Sequence, residues 1–381
     1  MADKIFLHVG FPKTGTTALQ ASLADSSTEL LALGFDYSPP WNNAHHRAAW
    51  SLVDYVFGWN SKGGSKTPKS VWNKFVKDIN KRDGNVLISS EFFIRANIEL
   101  INKIKNELSA KEYVIVFTLR PFAKILPSRY QQTLKRGMTW TYEQWLEKVF
   151  GAELDLEMTD FAEPNPELID YVTIIKNWAD VFGKENIRLV LTDETNPDNL
   201  YRRFEQALGL PSDLLKIAKA KKLNRSLTAS EASILRAVNA QKPKKWKWNQ
   251  YRYFIRGNFV KYLSDSPSKF PQDPKLQLPN SVLSRIESYS LDQIKRLDNL
   301  GISIYGDTSL LHEANSGNES EKNFDQVPVE MVADLVIHLS SVTRFAGTST
   351  KELLKEIGVR LVRSPRFIVR VVGKITLRVF K

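Results

Sequence analysis

Residues 8–20, HVGFPKTGTTALQ, set one lysine, two glycines and three threonines between an apolar run and a helix-forming run. Ile5 to Val9 reads as a strand, Gly10 opens a loop, Gly15 closes it, and Ala18 to Ala24 favours helix. A strand, a glycine-bounded loop and a helix N-terminus make a phosphate cradle. Free backbone N–H groups and the positive end of the helix dipole converge there on one anion. The two glycines have Walker-A spacing, but that motif puts Lys directly after the second Gly, followed by a Ser or Thr on magnesium. Here Lys13 stands two residues before Gly15, and Thr16 takes the usual Lys place. The shifted lysine implies a different phosphoryl-like group and no metal. The bland alternative is a plain strand-to-helix turn.

A second stretch carries similar chemistry. TLRPFAKILPSRY, residues 118–130, follows the apolar run Tyr113 to Thr118. Arg120 offers a planar fork of donors to a phosphate. A helix starting near Pro121 brings Ser128 round about two turns later. The competing reading is a structural ion pair for Arg120 and a helix polar contact for Ser128. Asn224, Arg225 and Ser226 add a further polar set, which a helix-entry loop explains equally well. A general base needs reach to the acceptor and a pKa near the working pH. Glu91 follows VLISS at a strand end and fits, though an N-cap or salt-bridge role also suits it. His45 and His46, in WNNAHHRAAW, fit a base or acceptor-binding role, against a polar cap on the next helix. His8 lies inside the first strand and reads as structural, and five histidines in all give a metal site no support.

PKTGTT after one strand, with Arg120 and Ser128 after another, resembles the sulfotransferases that use 3′-phosphoadenosine-5′-phosphosulfate (PAPS) as donor. The motifs cover a small part of the chain, and their order extends the resemblance to roughly residues 1 to 310. It implies that Lys13 contacts the phosphosulfate and supports the leaving phosphate. Thr14, Gly15, Thr16 and Thr17 fall in the donor-binding loop. Arg120 and Ser128, with Arg225 as a weaker addition, fall where the 3′-phosphate is held. The product would be adenosine 3′,5′-bisphosphate (PAP). The family uses Glu or His as base, so Glu91, His46 and His45 all stay open. The acceptor would be a hydroxyl or amine of a carbohydrate, lipid or small metabolite.

The elements that must position these residues alternate. Apolar runs at 4–9, 86–89, 113–118 and 187–191 read as buried parallel strands. Helical patterns cover the stretch after the loop, Lys69 to Asn80, Ile98 to Leu108 and Glu167 to Phe182. The fold expected is α/β, a parallel central sheet flanked by helices and P-loop NTPase-like, with ligands at the carboxyl ends of the strands. Further helices are expected over NPDNLYRRFEQALGLP, closed by Gly209 and Pro211, and over SLTASEASILRAVNA, capped by Thr228 or Ser230. Residues 1–315 are read as the α/β domain, 316–326 as a polar linker or loop, and 327–381 as a helical, basic C-terminal extension.

The 381 residues carry a formal charge of +12, which predicts anionic partners, and no cysteine, which excludes a disulfide framework, a thiol nucleophile and Cys-ligated zinc. MADKIFLHVG enters the first strand with no secretory pattern, and no run reaches the roughly 18–20 apolar residues of a membrane span, so a cytoplasmic protein is expected. FGWNSKGGSKTPKS, 57–70, reads as a solvated loop or a mobile lid. KPKKWKWNQYRYFIRGNFVK, 242–261, interleaves cations and aromatics, as either a ligand surface or a packed helix with snorkelling cations. In the last 22 residues, basic side chains recur every three or four positions from Arg360 to Lys381 among Val, Ile, Leu and Phe. That pattern suits a peripheral helix on an anionic membrane surface, or one docked on protein. The rival functions are a P-loop kinase or NTPase, for which LVLTDE at 189–194 could pass as a Walker-B strand, and a non-enzymatic basic membrane- or nucleic-acid-binding protein. The missing GK[ST] argues against the first, the second leaves the two phosphate motifs unexplained, and no nucleic acid partner is expected.

Overall fold

The computed structural model describes residues 1–150, 170–217, 225–265, 273–312 and 327–342. Strands are β1 (Ala2–Gly10), β2 (Phe35–Asp36), β3 (Val56–Phe57), β4 (Ser65–Lys66), β5 (Asn85–Ser89), β6 (Ala110–Leu119), β7 (Ile187–Leu191) and β8 (Ser303–Tyr305). Six of them form one parallel sheet in the order β2-β5-β1-β6-β7-β8. The four apolar runs in the sequence are the four central strands. Each is buried nearly throughout, which is why they read as continuous rather than alternating.

The chain leaves β1 for β2 and β5 on one side, then crosses to β6 on the other. The carboxyl end of β1 is therefore the point where strand order reverses, and a crevice opens there in sheets of this kind. Register brings the site residues level with it. His8 pairs with Ser89 of β5 and Val116 of β6, and a bulge then sets Gly10 opposite Phe117. One extra residue of β1 in that bulge brings the end of β6 round to the loop.

Helices cover both faces. On one, Phe6, Val114, Val116 and Val190 pack against Leu19 and Leu23 of the Thr16–Asp25 helix and Leu200 and Phe204 of the Asp198–Leu208 helix. On the other, Phe117 meets Trp178 of the Tyr171–Phe182 helix edge-on. Gly209 ends the Asp198–Leu208 helix in the left-handed conformation. Thr228 caps the Ala229–Gln241 helix, with Glu231 closing a capping box.

Most of the 57–70 stretch is exposed, as the solvated-loop reading expects, but it is ordered around one buried side chain. Strands β3 and β4 pair antiparallel around a short helical turn, Asn60–Lys62. Trp59 is buried, donating its indole N–H to the Arg136 carbonyl and meeting Trp248 and Tyr251. Burial of one large aromatic fixes the segment despite its polar composition. The 242–261 stretch splits by residue. It is helical throughout Trp248–Val260, with Trp248 and Tyr251 buried while Tyr253 and Phe254 stay exposed.

The chain divides into two compact units, Met1–Gln326 and Val327–Lys381. In the second, Val329–Val342 is helical. The linker at 316–326 and the basic stripe at 360–381 lie outside the described residues. Among the described residues no helix is long and apolar enough to cross a membrane.

Candidate functional site

The loop after β1 folds as its glycines require. Gly10, Lys13 and Gly15 have φ of 85°, 72° and 83°. For Gly10 and Gly15 the left-handed region is free of strain, whereas Lys13 carries a Cβ there. The space is as restrictive as the angle. A Cβ on Gly15 would come 2.5 Å from Leu200 Cδ2, and one on Gly10 would lie 2.7 Å from Glu91 Cβ and 2.9 Å from Glu91 Cα. The loop is thus held between the Asp198–Leu208 helix and the end of β5.

Gly15 is the N-cap of the Thr16–Asp25 helix, and no side chain caps it. Its carbonyl takes the N–H groups of Ala18 and Leu19, while those of Thr16 and Thr17 belong to the first turn, which has no carbonyl to bond within the helix. Gly15 and Thr17 are exposed, so this end is open to an anion. Thr14 has another use. It is fully buried, and its hydroxyl donates to the Phe11 carbonyl at 2.5 Å and meets Thr118 Oγ1 at 2.5 Å. Thr16 is buried as well.

Lys13 is half-buried, and burial lowers its pKa, opposed by the Glu91 carboxylate and reinforced by the Arg120 charge. Lys135, at the end of the Phe122–Leu134 helix, is pushed down to about 8 by burial and by Lys13, Arg256 and Arg225. Among the described residues neither lysine has a carboxylate within ion-pair distance. Cations crowded round two lysines that have no ion-pair partner of their own favour an anion in their midst.

The two arginines are already clamped. Arg120 gives its Nε and Nη2 protons to Glu194 at 2.7 Å each, and its Nη1 reaches the Lys13 carbonyl at 3.2 Å. The fork therefore buttresses the loop backbone and keeps part of its five-donor set for other acceptors. Arg225 pairs bidentately with Glu231 at 2.6 and 2.8 Å, which raises its pKa further. Ser128 is half-buried on the Phe122–Leu134 helix, two turns before Lys135 and on the same face. Asn224 lies outside the described residues.

Both candidate bases arrive at one place. Glu91 starts a short helical turn capped by Ser90, and its Oε2 accepts from Gln20 Nε2 at 3.4 Å. His46 Nδ1 lies 3.7 Å from the same oxygen and 2.9 Å from Ser90 Oγ. His45 points elsewhere: Ser89 N–H donates to its Nδ1 at 3.4 Å, and burial holds its pKa down at about 3. Such a ring packs between Tyr37 and Phe75 as structure. Beyond His46, the half-buried rings of Trp50, Tyr55, Phe57 and Phe92 form a continuous aromatic wall, with Arg95 and Arg136 against Tyr55. Asp193 of LVLTDE accepts from Thr195, Asn196 and Asn199, and these bonds hold its pKa well below the usual carboxylate range. It serves a turn, which is a structural use for the Walker-B look-alike.

Gln20, Tyr37 and Lys135 belong to this neighbourhood outside the candidate residues of the sequence, and so does Glu194, there only the end of the Walker-B look-alike. Only Lys135 had a local signal, its i+7 spacing from Ser128. The others arrive through contacts distant in sequence.

No protein-family model matches the chain, and no curated protein does. Among solved structures it is similar to a sulfotransferase from Alicyclobacillus acidocaldarius. The two are 15% identical, the match covers 77% of this chain and 94% of that one, and the TM-score is 0.46.

Proposed function

We propose that this chain transfers a sulfuryl group from PAPS to a hydroxyl or amine of an acceptor. The observation that carries the reading is the meeting of an uncapped helix N-terminus and a half-buried, unpaired Lys13 with the Glu91 carboxylate at a strand-order reversal. A phosphate-binding end and a proton acceptor stand side by side.

In this reading the loop N–H groups and Lys13 hold the phosphosulfate. The acceptor oxygen or nitrogen gives its proton to Glu91 and bonds to sulfur, while the sulfur–oxygen bond to the phosphate breaks. Lys13 stabilises the charge left on that oxygen. Such transfers depend mainly on positioning and on electrostatic support of developing charge. Arg120, Ser128, Lys135 and Arg225 would receive the donor's 3′-phosphate side. The aromatic wall would offer ring faces to a sugar, lipid or aromatic acceptor.

Calorimetry tests the reading. PAP should bind without magnesium, at least tenfold more tightly than AMP. Preference for magnesium-ATP over PAP would replace it with the nucleoside-triphosphate alternative.

The basic stripe from Arg360 to Lys381 supports a further part of the proposal, contact with an anionic leaflet near a lipid-linked or membrane-proximal acceptor. Co-sedimentation with anionic vesicles should be stronger for the full chain than for one ending at Ser364, and the difference should shrink with salt.

A further inference from the structure

A chain of buried and half-buried hydrogen bonds runs from the phosphate loop to Glu91, and for a neutral His8 its proton positions follow from elementary valence. Thr14 Oγ1 lies 2.5 Å from the Phe11 carbonyl, which can only accept, so the Thr14 proton points there. The 2.5 Å contact between Thr14 Oγ1 and Thr118 Oγ1 must then use the Thr118 proton. Thr118 Oγ1 is left as acceptor for His8 Nε2 at 3.3 Å, so Nε2 carries the ring hydrogen. In the neutral ring His8 Nδ1 is then an acceptor, and takes the Ser89 hydroxyl proton at 2.8 Å. Ser89 Oγ in turn accepts from Gln20 Nε2 at 3.2 Å, and the same amide nitrogen reaches Glu91 Oε2 at 3.4 Å. Reversing the amide would set its oxygen against the carboxylate, which electrostatics disfavours.

With a neutral imidazole every link has one consistent direction. His8 is fully buried among β5, β6 and the Phe204 ring, and burial keeps it neutral by lowering its pKa to about 3. An imidazole is well suited to the position, since it has a donor and an acceptor at opposite edges of a rigid ring. Pairing both edges also avoids the cost of an orphaned buried polar group.

We propose that His8 is a positioning residue, whose Nε2–H tautomer ties the phosphate loop, through Thr118 and Thr14, to the Glu91 carboxylate, through Ser89 and Gln20. The proposal rests on Lys13 and Glu91 being the transfer machinery. Its consequence is that the two arms of the chain separate. Cutting the Thr118 arm loosens the loop, so it weakens PAP binding. Cutting the Ser89 arm frees Glu91, so it slows turnover with little effect on PAP binding.

The test uses the full chain. Long-range nitrogen–proton correlation of the labelled protein should show the His8 imidazole fixed as the Nε2–H tautomer from about pH 5 to 9, distinguished from the similarly buried His45, whose Nδ1 also accepts, by its loss in His8→Leu. Calorimetry with PAP and release of PAP from PAPS then separate the arms. Thr118→Val should weaken PAP binding about tenfold. Ser89→Ala should hold PAP affinity within about twofold and slow PAPS turnover about tenfold. His8→Leu should show both losses, and His8→Asn, which keeps a donor and an acceptor, should recover part of each. An Nδ1–H tautomer overturns the proposal, as does a folded His8→Leu with wild-type affinity and turnover. Equal losses of affinity and turnover in Thr118→Val and Ser89→Ala would mean general loosening and would overturn it too. Failure of the wild type to bind PAP would be distinct, since it removes the transfer reading itself.

Discussion

His46 Nδ1 lies 3.7 Å from Glu91 Oε2, although the two residues are 45 positions apart in the chain. The two side chains that compete on paper for the role of base are neighbours in space. Removing one therefore changes the surroundings of the other, and their variants need to be read together.

Glu91→Gln should retain PAP affinity within about threefold and lose turnover by about a hundredfold or more, the usual worth of a general base. His46→Ala should cost less, because the carboxylate it adjoins remains. A reversed order of the two losses, read from PAP release, would move the base to His46.

Lys13 sits at φ 72°, where a side chain is strained. Lys13→Gly should therefore be more stable than Lys13→Ala by about 1 kcal/mol, while both lose transfer. Denaturant unfolding of the two variants measures the difference. Full activity in Lys13→Ala would end its assignment to the phosphosulfate.

Arg120 offers a sharper discrimination. Arg120→Ala should weaken PAP at least tenfold and AMP much less, since the two ligands differ by the 3′-phosphate. The variant also leaves Glu194 half-buried without its fork, so some loss of stability is expected. Equal loss for both ligands would confine Arg120 to supporting the loop.

Lys135 predicts a proton linkage. Its folded pKa of about 8 lies below the ordinary lysine value, so in the unliganded protein it loses its proton as pH rises through about 8. The unfolded chain holds that proton up to its higher pKa, so this group makes stability increase with pH between the two values. An anion bound beside it favours the charged form. PAP binding near pH 8.5 should accordingly take up protons, and affinity should fall above that pH. Calorimetry in two buffers of different ionisation enthalpy reads the uptake, and Lys135→Met should reduce it.

Much of this site was legible because it is local. Strand, glycine and helix adjoin in residues 5–24, and Glu91 and Arg120 each follow an apolar run directly. The Thr228–Glu231 cap is likewise a short-range pattern. What stayed hidden depends on pairing across the fold. Glu231 looks like an ordinary helix acid, and Glu194 like the end of a Walker-B strand, until an arginine fork is seen on each. Gln20 looks like a solvated helix position, yet two partners 69 and 71 residues away claim its amide. The anchor of the 57–70 stretch stayed hidden because glycine, serine and lysine outnumber the one tryptophan that supplies it.

The close approach at Gly10 bears on how this site can change. Glu91 backbone and side-chain atoms already occupy the place where the smallest Cβ would go. The gap between the loop and the carboxylate is consequently set by main chain against main chain, like a shim of fixed thickness. Even alanine acts there as a wedge, and the positive φ opposes it independently. The spacing cannot be adjusted by graded substitution at residue 10. A different reach toward the acceptor has to come from Glu91 and the wall beyond it, while the loop keeps its place.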